Sequence, residues 1–286
     1  MRIIVTGAAG LIGSAIVGRL RGEHDVVGVD LCAAPTVAVQ ADCADVADWA
    51  PSLGVVDAIV HVAALHAPHV SRHSEDEFRR TNVEATARLL DHALAIGARQ
   101  FVLTSTTSLY GHALEPTDGA IWVDEALDPR PRDIYDLTKL EAERLVAAAS
   151  DASLTTTILR ISRCFPEPAA VMAAYRLHRG IDRRDVAEAH ALSLRGEARA
   201  CRTFIITAPT PFEREDCAQL LADAPGVIER RCPGLAERLA RRGWPPPRSI
   251  DRVYDGAAAV VGLGFRPRFG IDACIAGDWD PLPLAV

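Results

Sequence analysis

Tyr135 and Lys139 stand four residues apart in the stretch YDLTK. On a helix that spacing puts both side chains on one face. A free phenol has a pKa of about 10, too high for a good base at neutral pH. A neighbouring ammonium and the cationic ring of a redox cofactor both favour the phenolate and lower that value. Tyr135 can then take the proton of a hydroxyl as hydride leaves the carbinol carbon, and in reverse give a proton to a ketone. Lys139 has a second use in holding a ribose. Upstream, TSTTSLYG (104–111) places a run of hydroxyls at the end of an apolar segment. Thr106 is the candidate for bonding the reacting oxygen, with Ser105, Thr107 and Ser108 as close competitors. The same run also suits a strand end whose side chains satisfy local backbone.

Hydride chemistry needs a carrier, and the start of the chain offers a place for one. Gly7, Gly10 and Gly13 in VTGAAGLIG (5–13) lie between the first apolar run and the first helical pattern. Glycine permits a sharp turn and lets backbone approach a pyrophosphate closely. The helix that follows presents free N–H groups and the positive end of its dipole. The spacing is GxxGxxG rather than GxGxxG. Asp30 closes the second apolar run. A carboxylate there accepts from an adenosine ribose 2′-OH and repels a 2′-phosphate, which favours NAD over NADP. Asp42, in ADCAD, is a candidate for the adenine end, although Asp is also a common turn residue.

The elements that must position these groups are legible as an alternation. Residues 2–6, 25–29, 57–62, 100–104 and 155–160 read as buried strands, with helical patterns over 11–21, 75–96 and 134–149. Continuous apolar strands separated by amphipathic helices predict an α/β fold: a Rossmann-type, doubly wound parallel sheet. A helix over 184–194 and a strand over 203–207 return to that sheet. Helices are expected over 213–222, 233–242 and 250–261, and the Trp-Pro-Pro-Pro stretch at 244–247 reads as a rigid connector. The predicted organisation is a cofactor-binding domain over 1–165, joined by 183–207. A small C-terminal substrate-binding lobe is expected from 166–182 and 208–286, over the carboxyl ends of the strands.

Bulk properties exclude several classes. The chain has 286 residues, 49% hydrophobic and 24% charged, which suits a globular enzyme. A net charge of −7 argues against a general nucleic-acid surface. No apolar stretch reaches the ~20 residues needed to span a bilayer, and no leader pattern opens the sequence, so a cytoplasmic location is expected. Seven scattered cysteines without a CxxC pair read as reduced thiols. His61, His66, His69 and His73 form a dense run without a thiol beside it, and His61 belongs to a strand, so no metal site is expected and a loop near the substrate mouth is favoured. Arg72, Arg163 and Arg176 are candidates for a substrate carboxylate or phosphate, or for surface salt bridges.

Taken together, TGAAGLIG, Asp30, Asp42, HVAAL (61–65), Asn82 in TNVEAT, TSTTSLYG, YDLTK and LRISRCF (159–165) fall in one order over residues 1–165. RRDVAEAHALSL (183–194) continues it. The chain thereby resembles the extended short-chain dehydrogenases/reductases, the NAD-dependent epimerase/dehydratase family. The resemblance implies NAD, a carbohydrate substrate, and a catalytic set of Thr106, Tyr135 and Lys139 with Asn82 supporting the lysine through backbone and water. It places Gly7, Gly10, Leu11, Ile12, Gly13, Asp30, Asp42, Ala63 and Ala64 along the cofactor, together with Tyr135 and Lys139. It also implies a homodimer through the 75–96 and 134–149 helices.

Departures from the family pattern narrow the reaction. Sugar dehydratases of the family carry an Asp-Glu pair directly after the catalytic threonine; Thr107 and Ser108 stand there. Epimerase–reductases that invert carbons beside a ketone carry a cysteine in that stretch, which is absent here. RISRCFPEP (160–168) is similar to the corresponding part of uronate dehydrogenases, and the stretch between Pro168 and Arg183 is short, which suits a small substrate. The sequence therefore points to oxidation of a sugar or sugar acid. Nucleotide-sugar epimerisation is the alternative, and a dinucleotide sensor without catalysis is a third reading.

Overall fold

Strand β1 (Arg2–Thr6) is apolar through its length and buried after its first residue. It leads through a glycine turn into helix α1 (Leu11–Leu20) and back to β2 (Asp25–Asp30), parallel to β1. The structure, a computed structural model, describes residues 1–195 and 200–278. The chain continues through β3 (Val39–Gln40), α2 (Val46–Trp49), β4 (Ala58–His61), α3 (Glu75–Arg79) and α4 (Ala85–Ala95). Next come β5 (Gln100–Thr106), β6 (Ile121–Val123), α5 (Ile134–Ala148), β7 (Thr155–Ile161), α6 (Ala169–Arg176), α7 (Arg183–Ser193) and β8 (Arg202–Ile206). The remainder holds α8 (Cys217–Leu220), α9 (Ala224–Arg231), α10 (Leu235–Arg241), β9 (Arg252–Tyr254), α11 (Ala257–Leu263) and α12 (Ile271–Ala276).

Seven strands form one parallel sheet in the order β3-β2-β1-β4-β5-β7-β8. The order reverses between β1 and β4, and open α/β sheets bind ligands at such a switch, beyond the carboxyl ends of the strands. Helices α1 and α7 bury Ile16, Val17, Leu20, Val186 and Ala189 in one apolar cluster with β1, β7 and β8. On the other face α4 and α5 bury Leu89, Leu90, Ala93, Ala142 and Val146 against β4, β5 and β7. The expected doubly wound sheet is thus present, with α7 and β8 returning to it.

A third cluster, with Phe212, Leu220, Val227, Ile228, Leu239, Ile250 and Val253, gathers the segments after β8. Strand β6 joins this part by pairing in parallel with β9. Here the structure corrects the expected helix over 250–261. Arg252–Tyr254 is a strand, and α11 starts only at Ala257, after Asp255 Oδ1 accepts from the Ala257 N–H (2.8 Å). The expected helix over 213–222 shortens to α8, preceded by a 3-10 turn, and α9 was not anticipated. Residues 75–96 are not one regular helix: a π-helical turn, Arg80–Glu84, separates α3 from α4. Residues 279–286 of the expected lobe lie outside the described residues. No helix among the described residues is long and apolar enough to cross a membrane.

Candidate active site and cofactor crevice

The glycine turn is built for close approach. Gly7 has φ +68°, a conformation that glycine adopts without strain, and a Cβ there would sit 2.7 Å from the Ala63 nitrogen. A Cβ at Gly13 would overlap the Gly7 carbonyl. Gly10 caps α1 with no side-chain hydrogen bond and no acid in the first turn, which leaves the amides around Leu11 and Ile12 without a side-chain competitor. A pyrophosphate fits that cradle. Asp30 accepts from Ala9 N–H through Oδ2 and from Cys32 N–H through Oδ1, both at 2.9 Å. It therefore pins the turn at the end of β2 while lone pairs remain for ribose hydroxyls. Asp42 caps the next turn through the Ala44 N–H (2.8 Å) and pairs with Arg80 (2.8 Å). Each of its oxygens is engaged within the protein.

Ala63 and Ala64 follow β4, half-buried. The amides of Val62 and Ala63 donate to the Thr6 hydroxyl at 3.1 and 3.2 Å. Thr6 and His61 Nδ1 are 2.7 Å apart, and His61 Nε2 lies 3.1 Å from the Thr86 hydroxyl, which donates to the Asn82 carbonyl at 2.7 Å. The last bond fixes the direction of the others. Thr86 accepts from His61 Nε2–H, and Nδ1 accepts from Thr6. Burial, with the Lys139 charge adding to it, lowers His61 to about 3, so the ring is neutral.

Asn82, in the π-helical turn, is buried and fully used. Its amide donates to the Leu65 carbonyl (2.9 Å) and the Thr138 hydroxyl (3.0 Å), and its oxygen accepts from Leu65 N–H (2.8 Å). It ties the loop after β4 to α5, one residue from Lys139. Unusual turns of this kind often occur at functional sites.

Thr106 ends β5, and Tyr135 and Lys139 sit in the first turns of α5, which Asp133 caps through the Asp136 N–H (2.9 Å). The structure brings the three together. Thr106 shares a hydrogen bond with the Tyr135 phenol and accepts from Ser108 N–H at 3.0 Å. Lys139, the sole lysine of the chain, donates to the Thr104 carbonyl at 2.7 Å. Of the competing hydroxyls, Ser105 is buried and donates to Glu143 (2.5 Å), while Thr107 points its hydroxyl to the Ile161 carbonyl (3.4 Å).

The electrostatics depart from the simple expectation for a phenol beside an ammonium. Burial raises Tyr135 to about 12, against the opposing pull of the Thr106 hydrogen bond. Burial lowers Lys139 to about 8, with Glu143 partly restoring it. Removal from water is the dominant influence on both groups, so the cofactor-free chain holds a protonated phenol.

Several positioning residues escaped the sequence reading. Glu143, one turn beyond Lys139, pairs with Arg160 of β7 (2.7 Å), and Arg160 donates to Tyr110 (3.0 Å). Both charged residues are buried. An arginine inside an apolar strand pattern was the available signal. The buried His190 of α7 faces the Val186 carbonyl with Nδ1 and the Thr104 hydroxyl with Nε2, both at 2.8 Å.

In the loop after β4, the His66 ring lies tilted against His69 (centroids 4.2 Å) and Phe165 (5.6 Å). No group of three His, Cys, Asp or Glu among the described residues is placed to hold a metal. Arg163 pairs with Glu167 and lies 5.4 Å from the Phe165 ring centroid. Arg176 is buried beside Asp182 (3.4 Å).

Comparison with known proteins follows the same lines. Residues 3–205 match the NAD dependent epimerase/dehydratase family. A 2-alkyl-3-oxoalkanoate reductase of Stenotrophomonas maltophilia is 32% identical over 170 residues, covering 56% of this chain and 50% of the relative. A UDP-glucose 4-epimerase of Corynebacterium glutamicum is 31% identical over 170 residues, with coverage of 56% and 50%. The matched part of this chain spans about half the length of these two curated relatives. A short-chain dehydrogenase/reductase superfamily protein of Agrobacterium tumefaciens, solved with bound NAD, shares the fold: TM-score 0.73 at 22% identity, over 97% of this chain and 95% of that one. The chain belongs to the NAD-dependent epimerase/dehydratase family, a family of enzymes that use NAD.

Proposed function

We propose that the chain is an NAD-dependent oxidoreductase that interconverts a carbohydrate-like alcohol and its carbonyl form, with Tyr135 as acid and base. The observation that carries this reading is the meeting of Thr106, Tyr135 and Lys139 at the carboxyl end of β5. Bound NAD supplies the hydride acceptor. Gly7, Gly10, Leu11, Ile12 and Gly13 would hold its pyrophosphate, and Asp30 its adenosine ribose, with Asp42, Ala63 and Ala64 along the same crevice. Thr106 orients the substrate oxygen, and Tyr135 gives or takes its proton. Lys139 holds the nicotinamide ribose and moderates the phenol, while Asn82 steadies the helix that carries both. The segments 166–182 and 208–278 would form the substrate lobe.

The likeness to a UDP-glucose 4-epimerase favours a second reading, in which hydride returns to the opposite face of a nucleotide sugar. A screen of uronic acids, aldoses and nucleotide sugars with NAD separates the two. Stoichiometric NADH supports net oxidation; a converted sugar without NADH supports epimerisation. Tyr135→Phe should keep NAD binding and lose more than ~10²-fold in turnover. Turnover close to wild type would remove Tyr135 from the chemistry. Retention of Tyr135 and Lys139 argues against a non-catalytic sensor.

We also infer a homodimer through α4 and α5, where Leu94 and Leu137 are exposed at 42% and 44%. Leu137→Glu should lower the sedimentation mass to that of one chain. A wild-type protein that sediments as a monomer would overturn this.

A further inference from the structure

Asp136 follows Tyr135 directly, has no exposed surface, and has an incomplete set of partners. Its Oδ2 accepts from Arg132 N–H at 3.2 Å and from Arg132 Nε at 3.4 Å, while Oδ1 has no hydrogen-bond partner. Arg132 in turn reaches the Ser108 hydroxyl with Nη2 (3.4 Å), and Ser108 N–H donates to the Thr106 hydroxyl (3.0 Å). Thr106 bonds the Tyr135 phenol. The contacts therefore close a ring through Tyr135, Thr106, Ser108, Arg132 and Asp136.

We propose that Asp136 is a positioning residue for Tyr135: its carboxylate braces the Thr106–Ser108 turn through Arg132, and its buried negative charge holds the phenol in the proton-bearing form. This rests on the reading of Tyr135 as the acid and base. Ser108 and Arg132 both favour the Asp136 carboxylate, but the contacts to Arg132 are long and Oδ1 has no hydrogen-bond partner, so the charge is only partly neutralised, and a like charge beside a phenol opposes its ionisation. The groups facing the pair are few. Thr106 faces the phenol from β5, Lys139 shares its face of α5, Ser108 on the following turn bonds the Asp136 carboxyl, and Arg132 and Asp133 precede α5. Burial raises the Asp136 carboxyl itself, and the charges of Asp136 and Asp133 add to the burial that raises Tyr135. An acid in the first turn of a helix also stabilises the helix end, but that role alone would alter melting temperature and not proton affinity at Tyr135.

The test is the pH profile of kcat/KM with NAD and whichever substrate the screen identifies, in three variants. Asp136→Asn keeps the shape and the acceptor but removes the charge. Its profile for oxidation should move to lower pH by about half a unit or more. Arg132→Met, at a half-exposed position, removes the brace and the balancing cation while leaving the carboxylate. It should lower kcat and move the profile to higher pH. Opposite displacements support the proposal; profiles that coincide with wild type, or move together, overturn it. Tyr135→Phe separates the two levels. If it turns over like wild type, the acid–base reading itself fails. If it is inactive while Asp136→Asn keeps the wild-type profile, only the role of Asp136 fails.

Discussion

Lys139 donates its ammonium to the main-chain carbonyl of Thr104, two residues before the hydroxyl of Thr106. One strand end thus anchors the cation through its backbone and presents the hydroxyl through its side chain, with His190 bonded to the Thr104 hydroxyl. The amine and phenol of α5 are therefore referenced to the same few atoms of β5.

Lys139 is a charge held out of water, and its loss should not harm the fold. Lys139→Met is expected to reduce turnover by more than ~10²-fold while melting temperature stays level or rises, because an apolar chain replaces a buried ion. A large fall in melting temperature would mean that the bond to Thr104 is chiefly structural.

Asp30 has two jobs that substitution can divide. Asp30→Ala removes the acceptor for Ala9 and Cys32 together with the charge. It should relax the preference for NAD over NADP by about tenfold, a change of about 1.4 kcal/mol, and lower stability. Asp30→Asn should relax the preference with less loss of stability. Cofactor kinetics and melting curves check both, and a wild type that prefers NADP would overturn the assignment.

The Glu143–Arg160 pair should be costly to break from one side. Arg160→Met leaves a buried carboxylate facing Ser105 and is expected to lower unfolding free energy by about 3–5 kcal/mol in urea titration. Replacing both with apolar residues should recover most of that loss. A single variant as stable as wild type would show that Glu143 is protonated or hydrated once its partner is gone.

Acid should destabilise the chain through its buried histidines. Burial lowers His61 to about 3 and His190 and His178 each to about 4, so the rings are neutral in the fold. The unfolded chain binds more protons between those values and about 6.5, so stability rises with pH across that window and is lost as pH falls through it. Each ring contributes on the order of 1 kcal/mol between about pH 6.5 and 5. His61→Gln should flatten the dependence of melting temperature on pH; an unchanged slope would place the acid sensitivity elsewhere.

Much of the sheet was readable because its strands are continuous apolar runs and its turn glycines sit where no Cβ fits. The short partners β6 and β9 were not, since three-residue strands such as Arg252–Tyr254 carry too little period to compete with a neighbouring helical pattern. Within the proposed site, the grouping of Thr106, Tyr135 and Lys139 was legible from type and spacing. The proton affinity of Tyr135 was not, because it depends on burial, which spacing does not encode. The part played by Asn82 was also hidden, since the contacts to Leu65 and Thr138 require the turn at 80–84 to be wound by five rather than four.

The chain has 31 basic side chains, and all but one are guanidinium groups. Acylating and reductive-alkylating reagents ignore guanidinium at moderate pH, so within these residues they can find only the first amino group and the ε-amine beneath the crevice. Inactivation by such a reagent would therefore report on one of two nitrogens, which mapping the modified peptide tells apart.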